Sequence, residues 1–379
     1  MWRVKLQYWR VLMTQILVEI NSVSYEGFSS INVTRSIEAI SGSFSLNATI
    51  SQGNSFPIKV GDKCRIVIDG TSVINGFVEN ISVSYSQDKH NINIQGRDRT
   101  ADLIDSSVID ELTYEGSISL RRIIGQTLRN LSITDISVSD EIGNLEDFDD
   151  TEREAADIGE NAFDFIERYA RKRQALLTTD GEGNILITRS SNNPISTNLL
   201  NEIEGSNNII KNASVNYNYT ERFNRYTISS QGNASIDIGA EISPDVLTDQ
   251  QGESIDEEIR IGRQIVINAE TSMSDATAAD RALWERNIRS GRSRIYNVTV
   301  YGFMAEEDGL LWKPNFLVKI KDDFADIDAQ MLIRSVTYSQ SNDAGSTTTL
   351  EFVEKDTYTI QAKIDKATAE SNNIGDEFL

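Results

Sequence analysis

Apolar and polar side chains alternate along much of the first hundred residues. Ile31-Asn32-Val33-Thr34 and Phe44-Ser45-Leu46-Asn47-Ala48 place every second side chain on one face, the period of a half-buried strand. Similar patterns run over 65–69, 74–85 and 91–95, and Gly42, Gly53, Gly61 and Gly70 stand at or near the breaks. Residues 16–97 are therefore expected to form antiparallel strands of a small barrel or sandwich. The period then changes. Residues 99–106 read as a short helical turn leaving the β-structure. Leu120, Ile123, Ile124, Thr127, Leu128 and Leu131 recur at helical spacing over 119–131. Phe163, Ile166, Tyr169 and Ala170 do the same over 161–174. Two strand runs, 175–179 and 185–187, flank the turn Asp180-Gly181-Glu182-Gly183 and predict a hairpin.

Strand alternation returns over 207–232, at Val215-Asn216-Tyr217-Asn218-Tyr219 and Arg225-Tyr226-Thr227-Ile228-Ser229. This stretch is expected to complete a first β-barrel spanning 13–99, with 100–206 inserted as an α+β domain. Residues 233–259 are polar and acidic and read as an exposed loop. Ser274-Asp275-Ala276-Thr277 marks a helix start, with the helix expected over 275–289 and Gly291 as its stop. Strands follow at 295–303, 316–320, 331–339 and 347–353, the last two joined through Asn342-Asp343-Ala344-Gly345. The second barrel is thus expected over 260–355, and 356–379 as a C-terminal tail. Residues 1–12 are basic and aromatic and are expected to lie outside the fold, with Met13 as the expected true start. The fold class is mainly β: two small antiparallel β-barrels plus an α+β insert.

Composition narrows the functions. A chain of 379 residues with 39% hydrophobic residues has room for two to four domains. A formal net charge of −22 opposes a phosphate backbone, which argues against sequence-specific nucleic-acid binding. Cys64 is the sole cysteine and His90 the sole histidine. Cys64 lies in the strand-like run Lys63-Cys64-Arg65-Ile66 and reads as a small apolar filler. A Ser-His-Asp triad would have to use His90, and no Gly-x-Ser-x-Gly turn accompanies it; zinc sites lack ligands for the same reason. The acidic run containing Glu141, Glu146, Asp147, Asp149, Asp150, Glu152 and Glu154 lacks calcium-loop spacing and reads as a solvated loop. Asp180-Gly181-Glu182-Gly183 sits between strands and lacks a basic residue, so it reads as a turn and not a phosphate cradle. No catalytic, cofactor or metal residue is assigned, and no run is long enough to span a membrane as a helix.

Two distant segments carry the remaining signal. They are Gly96-Arg97-Asp98-Arg99-Thr100-Ala101-Asp102-Leu103-Ile104-Asp105 and Asp308-Gly309-Leu310-Leu311-Trp312-Lys313-Pro314-Asn315-Phe316-Leu317-Val318-Lys319-Ile320. Both read as joints where β-structure changes direction, with Trp312 anchored in the core and Pro314 at a strand entry. Together with Val33-Thr34-Arg35-Ser36-Ile37-Glu38 and Ala279-Asp280-Arg281-Ala282, and in this order, they resemble the baseplate hub proteins of Mu-like contractile phage tails. That family shares its fold with the hub of T-even phages and with the hub part of type VI secretion spike proteins. The resemblance implies a homotrimer in which two β-barrels per chain build a pseudo-sixfold ring. It implies contacts to a central spike and to the tail tube or its initiator, DNA only in transit, no cofactor, no membrane insertion and no enzymatic activity. It places the chain in the virion baseplate, assembled in the bacterial host cytoplasm. An acidic channel wall that does not hold DNA fits that role. The alternatives are an extracellular adhesin or glycan-binding module and, less favoured, a cell-wall hydrolase.

Overall fold

In the computed structural model, residues 16–50, 57–85, 90–149, 153, 155–191, 193–202, 209–230, 250–269, 275–305 and 308–358 are described. The expected extension, the start at Met13, residues 233–249 of the acidic loop and the tail beyond residue 358 lie outside them. The first β unit comprises β1 (Ile16–Ile20), β2 (Val23–Tyr25), β3 (Phe28–Ser36), β4 (Ser43–Ile50), β5 (Lys63–Ile68), β6 (Thr71–Tyr85) and β7 (His90–Asp98). The insert follows with α1 (Ala101–Asp105), α2 (Leu120–Asn130), β8 (Val138–Asp140), α3 (Ala162–Lys172), β9 (Leu176–Thr179) and β10 (Ile185–Thr188). Next come β11 (Leu199–Asn201), β12 (Ile210–Tyr217), β13 (Arg225–Ser230), β14 (Gln250–Ile255), β15 (Gln264–Asn268) and α4 (Asp275–Arg292). The chain closes with β16 (Arg294–Tyr301), β17 (Met304–Ala305), β18 (Leu310–Leu311), β19 (Leu317–Asp322), β20 (Ile327–Ser341) and β21 (Gly345–Glu354). The molecule is mainly β with an α+β insert, as the periodicity predicts.

The insert has its own core. Ser119 caps α2 by accepting from the Arg122 N–H, and Asn161 caps α3 by accepting from Phe163 and Asp164. The apolar stripes then meet: Ile123, Ile124 and Leu128 join Phe165, Ile166 and Tyr169, all buried. Phe148 sits edge-on to Tyr169 at 4.9 Å between ring centroids. Strands β8, β10 and β9 form a three-stranded sheet in this core.

Most other strands join one sheet in the order β12-β16-β21-β20-β3-β4-β7-β6-β5-β1-β2, with β19 beside β20 and β11 beside β19. This path contains an internal repeat. The order β3-β4-β7-β6-β5 recurs as β12-β16-β21-β20-β19, antiparallel throughout. In both halves the fourth strand, β6 or β20, has 15 residues. Both carry a bulge at the same place, between Val78 and Asn80 against β7 and between Ile333 and Ser335 against β21. The first strands are bulged alike, between Phe28 and Ser30 and between Ile210 and Asn212. Aligning the ladders on these bulges sets Phe44 on Tyr296 and Leu46 on Val298, all buried. The halves join where β20 pairs with β3, and one hydrophobic core draws on both.

Three expectations are corrected. Residues 207–232 do not complete the first β unit: β12 pairs with β16 of the second. Strand β13 instead pairs with β14 and β15 in a separate sheet packed on Ala278 and Ala282 of α4. The exposed loop expected over 233–259 therefore ends in a strand, and β15 leaves the second barrel segment; Gly252 lets β14 approach α4, since a Cβ there would lie 2.0 Å from the Ala279 nitrogen. Gly291 does not stop α4, which continues to Arg292. The glycine serves close packing, because a Cβ there would lie 2.0 Å from Thr357 Oγ1. Thr357 is buried and donates to the Glu354 carbonyl at 2.6 Å, so it has little room to move. Helix propensity alone favours alanine at Gly291 by about 1 kcal/mol. Overpacking reverses the sign: G291A is expected to lower stability by about 1–3 kcal/mol in urea denaturation.

Candidate functional site

The first joint is a hinge of close backbone approaches and alternating side chains. A Cβ on Gly96 would lie 2.0 Å from the Phe77 carbonyl oxygen, and one on Gly76 would lie 1.9 Å from that of Arg97. Only glycine permits this crossing of β6 and β7. Beyond it the side chains alternate as strand geometry requires. Arg97 reaches Glu79 through two bonds of 2.7 and 2.8 Å and also pairs with Asp105 at the foot of α1. Asp98 points inward and is buried; it accepts from the Asn75 N–H at 2.9 Å and from Thr179 Oγ1 at 3.2 Å. Thr100 donates to the Ile40 carbonyl at 2.8 Å.

Arg99 crosses to the insert. It donates to the carbonyls of Gly183 and Glu182 at 3.0 and 2.9 Å and to Asn184 Oδ1 at 3.1 Å. From the first β unit, Ser72 donates to the Gly181 carbonyl at 3.0 Å and Asn75 to the Glu182 carbonyl at 3.0 Å. Buried Arg35 donates to the Thr179 carbonyl at 2.6 Å. The Asp180-Gly181-Glu182-Gly183 turn is thus the hairpin turn predicted, and also the plug by which the insert docks. Its glycines have φ of +88° and +78°, and a Cβ on Gly181 would lie 2.6 Å from the Ser72 carbonyl oxygen.

The second joint stitches the chain leaving the insert to the second β unit. Asp308 accepts from the Ser196 and Thr197 N–H groups and from Thr197 Oγ1, each at 2.8 Å. The backbone donor of Ser196 leads these contacts in holding the Asp308 carboxyl down to about 2. Asn315, at φ 70°, accepts from the Ser191 N–H at 2.8 Å and donates to the Arg189 carbonyl at 2.9 Å. Ile195 and Asn193 bond Leu317 across the strand entry, and β11 continues parallel to β19. Trp312 is buried in the shared core, as expected; its backbone N–H donates to the Phe303 carbonyl at 3.1 Å and its backbone carbonyl accepts from Tyr338.

The other residues weighed for chemistry have structural surroundings. Cys64 is buried in β5, and burial pushes its thiol up to about 12, away from a reactive thiolate. His90 opens β7. In the acidic run, the Glu146 and Asp147 carbonyls accept from Arg173, and Phe148 turns inward. The contributions of Arg35 and Asp98 were not visible in periodicity, because each is a polar residue on an inward position. For Asp98 the signal is the adjacency of glycine and charge in Gly96-Arg97-Asp98; Arg35 carries no such local signal.

Burial raises the Asp98 carboxyl to about 6, against lowering contacts from Asn75, Arg35 and Thr179. A carboxyl raised on folding stabilises most when protonated. Its contribution is present below about pH 4 and is lost as pH rises through about 6. The stability of wild type minus that of D98N is expected to fall by on the order of 2 kcal/mol between pH 4 and 7, read from paired urea titrations. A flat difference would show that Asp98 is not held in this way.

Three family models match in order along this chain. Residues 15–98 match "Mu phage baseplate assembly protein GpP-like, N-terminal", 100–189 match "Baseplate hub protein gp44-like, second domain", and 274–361 match "Mu phage baseplate assembly protein GpP, fourth domain". The baseplate hub protein gp44 of Escherichia phage Mu is 25% identical over 345 residues, covering 90% of this chain and 88% of that protein. The crystal structure of a 43 kDa tail protein of prophage MuSo2 from Shewanella oneidensis is 29% identical with a TM-score of 0.74, covering 90% of this chain and 99% of that one. A tail protein of Neisseria meningitidis MC58 shares the fold at 17% identity and a TM-score of 0.76, covering 92% and 98%. The matched models, the Mu relative and the two joints agree: this chain belongs to the baseplate hub proteins of Mu-like phages, structural components of the tail baseplate in the virion.

Proposed function

We propose that three copies of this chain assemble into a ring that connects the tail tube to the central spike and leaves a channel for DNA. The observation that carries this reading is the internal repeat. Each chain holds two β units with the same strand order and matching bulges, so three chains present six similar units. Such a ring meets a sixfold tube on one side and a threefold spike on the other. The role is structural and not catalytic: the buried Arg35 and Asp98 at the first joint and Asp308 at the second bond to the chain itself. The chain's net charge of −22 fits a channel wall that DNA slides past without being held. Assembly takes place in the bacterial host cytoplasm.

Light scattering on a sizing column tests the ring. The expected species has three times the 42.3 kDa chain mass. A monomer at every concentration would count against self-assembly and favour the adhesin alternative, which glycan-array binding then checks.

A further inference from the structure

The repeat exposes an asymmetry at its ends. In the second half, the outer part of β20 has partners on both sides: β21, and β3 of the first half from Ser335 opposite Ser36 to Ser341 opposite Ser30. Val336, Tyr338 and Val33 are fully buried in that junction. The equivalent outer part of β6 pairs only with β7, since pairing with β5 ends at Phe77. The strand equivalent to β3 is β12, which pairs only with β16. Among the ten strands of the repeat, as far as the described residues go, one half-strand and one whole strand have open edges, and they are the two whose counterparts pair with each other inside the chain.

The side chains repeat this. By the shared bulges, Ile81 and Val83 occupy the places of Val336 and Tyr338, yet Val83 is 55% exposed and the following Tyr85 78% exposed. On β12, Val215 stands where buried Val33 stands on β3, and Tyr217, in the place of buried Arg35, is 61% exposed. Val83 and Tyr217 are largely apolar side chains left on edges that native proteins otherwise blunt with charge, proline or a cover.

Building on the ring-forming reading above, we propose that β12 of one copy pairs antiparallel with residues 81–85 of β6 in the next copy, repeating between chains the β3–β20 junction within one. Carrying the β3–β20 register across the repeat sets Tyr217 opposite Ile81, Val215 opposite Val83 and Ala213 opposite Tyr85. All three pairs fall on the core-facing side, so one strand addition satisfies the open backbone groups and covers the exposed apolar residues together. The contact is head-to-tail, and in a closed ring of three chains junctions within and between chains alternate around the circle.

Disulfide trapping of the full-length protein tests the register. Val83 and Val215 are directly opposite in the proposed ladder, a separation that a disulfide spans. V83C/V215C is expected to give covalent dimers and trimers on a non-reducing gel after mild oxidation. V83C/S214C, with its second thiol on the opposite face, is expected to give none. Cys64 is buried and does not compete. V83D, at an exposed position, is expected to keep the wild-type melting temperature while weakening self-association at least tenfold. A trimeric native mass with no V83C/V215C product, equal linking by the S214C control, or an undiminished V83D assembly would each overturn the pairing and leave the ring standing. A monomer with no linked product would overturn both.

Discussion

The junction of β3 with β20 is the constraint on which the rest of the molecule depends. It joins residues 30–36 to residues 335–341, near opposite ends of the chain. Mid-sheet backbone groups have no water to turn to, so neither strand is satisfied without the other. The length of β20 follows from this. Its first part serves β19 and its second part serves β3, with the bulge at Ile333/Ser335 marking the change. Side chains reinforce the seam: Thr34 and Thr337 share a hydrogen bond of 3.0 Å, and Ser335 donates to the Arg35 carbonyl at 3.1 Å. Just beyond it, Glu38 accepts from Arg292, Arg334 and Tyr358 and ties α4 and the end of β21 to the same place. Everything between the two strands, the insert included, must fold so that this closure remains possible, a long-range pairing that costs loop entropy before it returns any contact energy.

Arginine is used in an unusual way for so acidic a chain. Arg35, Arg99, Arg173 and Arg189 all donate to main-chain carbonyls at turns and strand ends. The guanidinium is a flat fork of donors, suited to gathering several carbonyls at once, and its charge strengthens each bond. Fully buried Arg222 has a carboxylate instead: it donates to Asp256 at 2.9 Å. Arg35 has Asp98 close enough to lower that carboxyl against the larger effect of burial. Buried pairs of this kind add little net stability, because desolvation offsets attraction, but they penalise a misplaced partner heavily. At the first joint that penalty fixes the orientation of the insert on the β units.

Much of the local structure was legible in the sequence. Alternation at 31–34 and 44–48 marks β3 and β4, helical spacing marks α2 and α3, and the glycine-rich turn at 180–183 marks the β9–β10 hairpin. What periodicity does not encode is which strands neighbour one another. Strand β12 alternates as plainly as β3, and nothing local says that it belongs with β16, more than seventy residues on. Gly291 reads as a helix stop by the usual rule, and only the position of Thr357 shows that it is a contact. The repeat is hidden for a related reason. The equivalent core residues Phe44 and Tyr296, or Leu46 and Val298, conserve size and burial but not identity. The resemblance to hub proteins rests on the two joints together with Val33–Glu38 and Ala279–Ala282, and at the first joint sequence and structure coincide, because glycines forced by backbone contact and a buried aspartate leave little freedom to vary.

Open strand edges and a large negative charge make opposite demands. An edge invites any β-strand, its own copies included, and a head-to-tail contact that fails to close grows into a filament. A chain with a net charge of −22 repels its copies, and so raises the threshold for any contact that lacks a compensating apolar surface. The two edges meet that threshold only in one register. A shift of one residue turns Val83 and Val215 to opposite faces and sets serine and asparagine against the core. In the proposed ring, bulk repulsion then acts as a filter that favours the association copying the chain's internal junction. On that proposal, the repeated fold carries within one chain the template for its own assembly.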